Sequence, residues 1–133
     1  MTLFFAQLHP DTGALDYLNA GHNPAILLRR DGRLDELGPG GVPLGLIRAA
    51  RFESRRSEIA PGDLLCLYSD GITEATAPDD EEFGMDRLGE ILTSYRDMPL
   101  AELIQAIDGA VTAFAQGHPQ ADDQTVVLVR RVG

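Results

Sequence analysis

Three aspartates flank two apolar, strand-like segments, and their carboxylates could converge on a metal ion if the two segments pair. Asp70 lies two residues after the end of one segment, and Asp122 and Asp123 stand just before the other; the segments are Leu64–Tyr68 and Thr125–Val129. If the two strands are antiparallel neighbours, the end of the first and the start of the second share one sheet edge, which brings Asp70 close to Asp122. Carboxylate clusters with open positions suit Mg²⁺ or Mn²⁺. The alternative is that Asp122 and Asp123 are turn and capping residues, and spacing alone does not decide between the two.

The residues around Asp70 indicate how its carboxylate is held. A short apolar run that stops at turn residues is typical of a strand buried on both faces. Ser69-Asp70-Gly71 ends this run, and Ile72–Ala75 can open a helical turn. Asp70 is therefore expected at the rim of a sheet, where binding groups are often carried. Ser-Asp-Gly is also an ordinary turn, so this segment alone does not establish a function.

Composition and charge exclude other classes of site. The 133 residues carry a formal net charge of −10, with 11 cationic side chains that are all arginine, so we expect neither nucleic acid nor an anionic membrane as a partner. The 3 histidines and 1 cysteine are too few and too scattered for a zinc site. Cys66 lies inside the apolar run and is expected to be a small buried hydrophobe. Without a membrane-length apolar run or a signal-peptide pattern, the expected location is the cytoplasm.

The rest of the chain predicts an α+β domain that would position these carboxylates. Strand-like runs separated by Pro-, Asp- and Gly-containing turns predict an antiparallel meander over residues 3–37. A further strand is expected over Arg51–Ile59. Two amphipathic helices with core-facing apolar stripes should follow, one from Gly84 and one from Leu100 to near Gly117. The acidic segment Pro78–Glu82 between strand and helices is expected to be a solvated flexible loop.

Several separated motifs resemble the metal-dependent protein serine/threonine phosphatases of the PPM (protein phosphatase 2C-like) family. The branch they resemble most is the bacterial one that contains the sporulation stage II E phosphatase and the sigma-factor regulators. The matching motifs occur in the same order across nearly the whole chain, and they are Ala20–Pro24, Pro43–Gly45, Pro61–Asp63, Leu67–Ala75, Phe83–Gly84 and Asp122–Val127.

The resemblance implies a fold, a cofactor and a set of site residues. The fold would be part of an α/β/β/α sandwich, with mostly antiparallel sheets and the two amphipathic helices packed on one face. Asp70 and Asp122 would be the catalytic metal ligands of a centre that holds two Mn²⁺ or Mg²⁺ ions in the complete domain. The Gly71 backbone would contribute, and Asp123 would support Asp122, with Asp123 itself as the alternative choice of second metal ligand. Other motif residues have no assigned catalytic role, and they are Gly21, His22, Asn23 and Glu74; His22 is expected to be a structural loop residue.

The implied activity is hydrolysis of phosphoserine or phosphothreonine on a phosphorylated anti-anti-sigma-type regulator. One departure from the family pattern stands against it. Family members carry an upstream Gly-Asp…Gly-His-Gly motif whose aspartate bridges both metals, and no such motif occurs between Met1 and Gly133. Residues 1–133 are therefore expected to be a single phosphatase domain without its N-terminal portion, inactive or weakly active alone. The alternative function is a non-catalytic fragment with a regulatory or binding role, and an open sheet edge would favour self-association.

Overall fold

The computed structural model describes residues 1–38 and 40–133, which contain seven strands and three helices. The strands are β1 (Leu3–Leu8), β2 (Ala14–Ala20), β3 (Ala25–Leu28), β4 (Leu34–Leu37), β5 (Arg55–Glu58), β6 (Leu64–Tyr68) and β7 (Val126–Arg130). The helices are α1 (Asp70–Thr73), α2 (Gly84–Ser94) and α3 (Leu100–Ala115). None of the helices in the described part of the chain is long and apolar enough to cross a membrane.

The strands form two sheets, with strand orders β1-β2-β5 and β4-β3-β6-β7. The β1–β2, β2–β5 and β3–β4 pairs are all antiparallel. The three helices form one block between β6 and β7 instead of alternating with the strands. This arrangement confirms the α+β class with mainly antiparallel pairing that the sequence predicts.

The first four strands do not form one continuous meander, and that expectation is wrong. β1 and β2 belong to one sheet, whereas β3 and β4 belong to the other. Between them Gly21 adopts a left-handed φ of +71°, and Pro24 has no amide hydrogen to donate to a ladder. The chain therefore leaves the first sheet at this point. β5 pairs with β2 instead, and it is shorter than the predicted strand Arg51–Ile59.

The chain divides into two units, Met1–Leu65 with Arg130–Gly133, and Cys66–Val129. The second unit holds the three helices and the predicted apolar stripes. The buried side chains of its helices are Ile72 in α1, Leu88 and Leu92 in α2, and Leu103, Ile107 and Val111 in α3. Cys66 is fully buried, and burial raises the pKa of its thiol to about 12, as suits a residue that acts as a small hydrophobe.

A buried aspartate in the first unit forms hydrogen bonds both to the turn before β6 and to the hairpin of β3 and β4. Asp63 is only 2% exposed, and its carboxylate accepts hydrogen bonds from the backbone amides of Arg30 and Ala60, both at 2.9 Å. The Arg29 guanidinium donates to the same carboxylate at 3.0 Å and to the carboxylate of Asp35 at 2.7 Å. The side chain of Asp63 therefore satisfies three donors from two segments of the chain.

We expect Asp63→Ala to lower the free energy of unfolding by about 3 kcal/mol, because the change leaves a half-buried guanidinium and two amides without this acceptor. Asp35→Ala is the matched control, since it removes the more exposed partner of the same arginine and should cost less than about 1 kcal/mol. Urea unfolding of both variants measures the difference. Equal losses for the two variants would show that burial of the Asp63 carboxylate does not set the cost.

Candidate metal centre

The two strands that carry the candidate aspartates run antiparallel. Near the start of β6, the Gly62 amide donates to the Arg131 carbonyl at 2.8 Å, and the Arg131 amide donates to the Asp63 carbonyl at 3.1 Å. At the end of β6, the Ser69 amide donates to the Thr125 carbonyl at 3.0 Å, just before β7 begins. The end of β6 and the start of β7 therefore lie at one edge, which is the arrangement that convergence of the aspartates requires.

Ser69 fastens the segment that carries Asp122 and Asp123 to this edge. Its hydroxyl donates to the Asp123 carbonyl at 2.9 Å and accepts the Thr125 amide hydrogen at 2.9 Å. With the Ser69–Thr125 backbone bond, one residue makes three hydrogen bonds to the segment just before the last strand. These bonds fix the register between the end of β6 and the segment that carries Asp122 and Asp123.

Ser69→Ala should loosen this connection without unfolding the protein. Loss of the hydroxyl leaves the Thr125 amide without its acceptor, and the expected cost is about 1 kcal/mol of unfolding free energy. Amide hydrogen exchange at Thr125 should become faster, while the buried amides of α3 keep their rates. Ser94→Ala, at the exposed end of α2, is the control. Unchanged exchange at Thr125 in the Ser69 variant would contradict the role given to the hydroxyl.

Gly71 is in close contact with the backbone of the aspartate pair. An ideal Cβ built on Gly71 would collide with the Asp123 carbonyl, 2.7 Å from its carbon, and would lie 3.0 Å from the Asp122 carbonyl oxygen. Real Cβ atoms essentially never approach backbone atoms this closely, so the contact requires glycine. Asp70 is the first residue of α1 and is exposed, and its carbonyl accepts the Glu74 amide at 2.8 Å. The structure thus brings Asp70–Gly71 beside Asp122–Asp123.

Asp122 also has a local structural role. Its Oδ1 accepts the Asp123 amide at 2.8 Å, and its carbonyl accepts Nε2 of Gln120 at 2.8 Å. These are the turn contacts that the alternative interpretation of the pair anticipates. Only the first of these bonds involves the carboxylate, which still has lone pairs with which to bind a cation.

Negative charge accumulates around Asp70 and Asp122. The pKa of Glu74 is raised above its usual value. The largest cause is the charge on Asp70, followed by desolvation and then by the charges on Glu82 and Asp122. Like charges raise a carboxyl pKa because each disfavours ionisation of the next. A bound divalent cation would relieve this repulsion, which makes the chemistry of these donors suitable for a hard metal ion.

The two aspartates alone do not make up a complete set of metal ligands. Within residues 1–38 and 40–133, no group of three or more His, Cys, Asp or Glu side chains is arranged to hold a metal ion. Mg²⁺ commonly uses one or two protein carboxylates and keeps several waters, so Asp70 and Asp122 fit as a two-carboxylate contribution. Ligation by these residues stays a prediction.

The predicted motif residues Gly21, His22 and Asn23 belong to the first unit, and their contacts are structural. The His22 amide donates to Oδ1 of the buried Asn19 at 2.8 Å, and His22 Nδ1 lies 3.0 Å from the Asn23 carbonyl oxygen. A Cβ on Gly21 would lie 2.6 Å from the Pro43 ring. The role of His22 as a structural loop residue stays a prediction.

The acidic segment Pro78–Glu82 is tied to the helices by Arg87. The guanidinium donates to the Glu81 carboxylate at 2.8 Å and to the carbonyls of Glu82 and Phe83 at 2.9 and 3.0 Å. It also lies 4.5 Å from the centroid of the Phe114 ring, in cation–π geometry. The segment is exposed, as the sequence predicts, but its C-terminal end is anchored and not simply a solvated loop.

Two contacts near the site have little sequence signal. Ser69 stands in the Ser-Asp-Gly motif, but its hydroxyl partners lie more than fifty residues away along the chain. The Thr76 hydroxyl lies 2.9 Å from Nδ1 of His118, which joins the segment after α1 to the segment after α3. The sequence indicates this second contact only weakly, in that Thr76 and His118 each lie a few residues from a candidate aspartate.

The fold is that of a PP2C-like phosphatase domain. The phosphatase domain of the cell fate determinant SpoIIE from Bacillus subtilis (Mn presoaked) matches it with a TM-score of 0.72 at 22% sequence identity, over 98% of this chain and 56% of that one. At this level of identity the match establishes the fold alone.

The particular family follows from the sequence. The family model for stage II sporulation protein E (SpoIIE) matches residues 1–132, so the chain belongs to this family. Protein IcfG of Synechocystis sp. is 36% identical over 98% of the chain, and phosphoserine phosphatase RsbP of Bacillus subtilis is 29% identical over 86%. The chain spans 20% of IcfG and 27% of RsbP. The resemblance to the sporulation and sigma-regulator branch of the PPM phosphatases is confirmed.

Proposed function

We propose that residues 1–133 form one phosphatase domain that takes part in the metal-dependent hydrolysis of phosphoserine or phosphothreonine on a regulator protein. The observation that carries this proposal is the contact between Gly71 and the Asp122–Asp123 backbone at the shared end of β6 and β7. Membership of the SpoIIE family and similarity to a phosphoserine phosphatase support the reaction class.

In this proposal Asp70 and Asp122 are the metal-ligating carboxylates, the Gly71 backbone contributes, and Asp123 supports Asp122. Mn²⁺ or Mg²⁺, as a pair of ions in the complete domain, would neutralise charge on the phosphoryl oxygens and lower the pKa of a bound water. Ser69 holds the Asp123 carbonyl and thereby the orientation of the segment. Glu74 adds negative charge beside Asp70, which strengthens the attraction for cations.

The substrate in this proposal is a phosphorylated anti-anti-sigma-type regulator, and the reaction takes place in the cytoplasm. The net charge of −10 supports a protein partner over nucleic acid or an anionic membrane surface. The SpoIIE family and the similarity to RsbP support a place in bacterial regulation.

One observation favours a second candidate function. The described residues provide no group of three ligating side chains, so these residues alone are expected to bind a divalent ion weakly. In this alternative the chain binds a phosphorylated partner or another part of the protein without hydrolysing phosphate.

Phosphate release distinguishes the two functions. The full-length protein is freed of metal and given a phosphoserine-containing anti-anti-sigma-type regulator, with Mn²⁺, Mg²⁺ or neither. We expect release that depends on the added ion and stops when a chelator is added. Absence of release at saturating Mn²⁺, from folded protein that still binds the regulator, would overturn the catalytic proposal in favour of the binding role.

A further inference from the structure

A groove in the second unit lies directly beside the paired aspartates. Its volume is about 350 Å³, and three segments form its walls: residues 71–76 with Glu82, the C-terminal half of α3, and residues 117–124. Gly71 and Asp122 line it, so the groove is continuous with the candidate metal centre.

The lining combines an apolar surface with carboxylates. Small apolar side chains line it from all three segments, and they are Ala75, Val111, Ala115, Pro119 and Ala121. The charged lining residues are Glu74, Glu82, Asp108 and Asp122. No arginine is among the residues that line the groove in the described part of the chain, so its local charge is strongly negative.

A hydrogen bond joins two walls of the groove. The Thr76 hydroxyl and Nδ1 of His118 are 2.9 Å apart, which connects residues 71–76 to residues 117–124. The segment after Thr76 is in turn held by Arg87, which bonds to Glu81 and to the carbonyls of Glu82 and Phe83. The groove is thus bounded by segments that are attached to each other and to the helices.

We propose that this groove binds an arginine side chain that flanks the phosphorylated residue of the partner protein. The inference rests on the proposed function and names a feature of its substrate. An arginine side chain can lay its aliphatic stem along the half-buried Ala75 and Ala115 and keep its guanidinium among carboxylates. The planar guanidinium also pairs with two carboxylate oxygens at once, which a lysine ammonium does not.

The apolar part of the lining distinguishes this occupant from a bare metal ion. A hard cation gains nothing from small apolar side chains, whereas the stem of a long basic side chain does. Asp108 lies on α3, outside the Ser-Asp-Gly and Asp-Asp motifs, and it adds a carboxylate on the opposite wall. We therefore assign Asp108 to recognition of the partner and not to metal binding.

Phosphoserine peptides test this inference. A single arginine is moved along the positions that flank the phosphoserine, and each peptide has a counterpart with glutamine at that position. Affinity for the full-length protein is measured by fluorescence anisotropy. At the preferred position we expect the arginine peptide to bind about fivefold more tightly than its glutamine counterpart, and this preference should weaken as salt is added.

Asp108→Asn should reduce this preference to about twofold, because it removes one of the charges that face the guanidinium. Asp86→Asn, on the exposed first turn of α2, is the control and should keep the full preference. Hydrolysis of p-nitrophenyl phosphate, which has no flanking residue, should be the same in both variants and the wild type.

The two proposals fail in different ways. Equal binding of every arginine and glutamine pair, or an unchanged preference in Asp108→Asn, would overturn the groove assignment even if p-nitrophenyl phosphate is hydrolysed. Selective binding of the arginine peptide without any metal-dependent hydrolysis would leave the groove assignment standing and overturn the catalytic function.

Discussion

Asp70→Asn is expected to lower metal-dependent phosphate release by at least about a hundredfold, because asparagine keeps the shape of the side chain but removes the charge that binds the ion. Asp70 is exposed at the first residue of α1, so its substitution should not disturb packing. The measurement is the initial rate of phosphate release by the full-length protein at saturating Mn²⁺. The free energy of unfolding without metal should change by less than about 0.5 kcal/mol.

Asp86→Asn is the matched control for Asp70, since it makes the same chemical change in the exposed first turn of another helix. Its rate of phosphate release should equal that of the wild type. If Asp70→Asn retained the wild-type rate, Asp70 would not be a catalytic ligand, and the metal centre assigned to this sheet edge would be wrong.

Gly71→Ala should produce a second large loss, for a steric reason. The new methyl group would collide with the Asp123 carbonyl and lie 3.0 Å from the Asp122 carbonyl oxygen. Both neighbours are backbone atoms, so the aspartate segment would have to move away from the end of β6. We expect a loss of about 1–3 kcal/mol in unfolding free energy, together with weaker Mn²⁺ binding, because the two carboxylates no longer keep their spacing.

Gly109→Ala is the control for this steric argument. Gly109 lies within α3, and an added Cβ there meets nothing within 4 Å. Alanine is favoured over glycine inside a helix, so this variant should be more stable than the wild type by up to about 1 kcal/mol. Equal stability of the two variants would show that the space around Gly71 is not restricted as the structure indicates.

Local pattern predicted the central strand and the helices because each is determined by nearby residues. The run Leu64–Tyr68 forms β6, and all but one of its side chains are buried. The two longer helices begin at Gly84 and Leu100, as predicted. Their apolar residues recur with the helical period, which makes them recognisable in the sequence. Ile104 is an exception, because it belongs to the predicted stripe but is 40% exposed.

Strand pairing could not be read from local pattern. Two hairpins in succession predict a meander, but β2 pairs with β5, which lies far along the chain. The choice depends on packing between distant segments, which periodicity does not encode. The pairing of β6 with β7 is equally non-local, and the sequence indicates it only as a condition for the two aspartates to meet.

The candidate site shows the same division between local and distant information. Asp70 and Asp122 can be identified as candidates in the sequence, because Asp70 follows one apolar run and Asp122 precedes the other. The hydroxyl of Ser69 and the close approach of Gly71 depend on the register between β6 and β7. The contacts of Arg87 with Glu81 and Phe114 depend on how α2 packs against α3. Neither the β6–β7 register nor this helix packing can be predicted from the residues nearby in sequence.

The central claim is that Asp70 and Asp122, remote in sequence, bind the same divalent centre. Calorimetric titration of the full-length protein with Mn²⁺ tests it most directly, using the wild type, Asp70→Asn, Asp122→Asn and the double variant. Each single substitution should weaken binding by at least about tenfold, and the double variant should lose less than the sum of the two losses. Mn²⁺ affinities that stay at the wild-type value in both single variants would contradict the shared site.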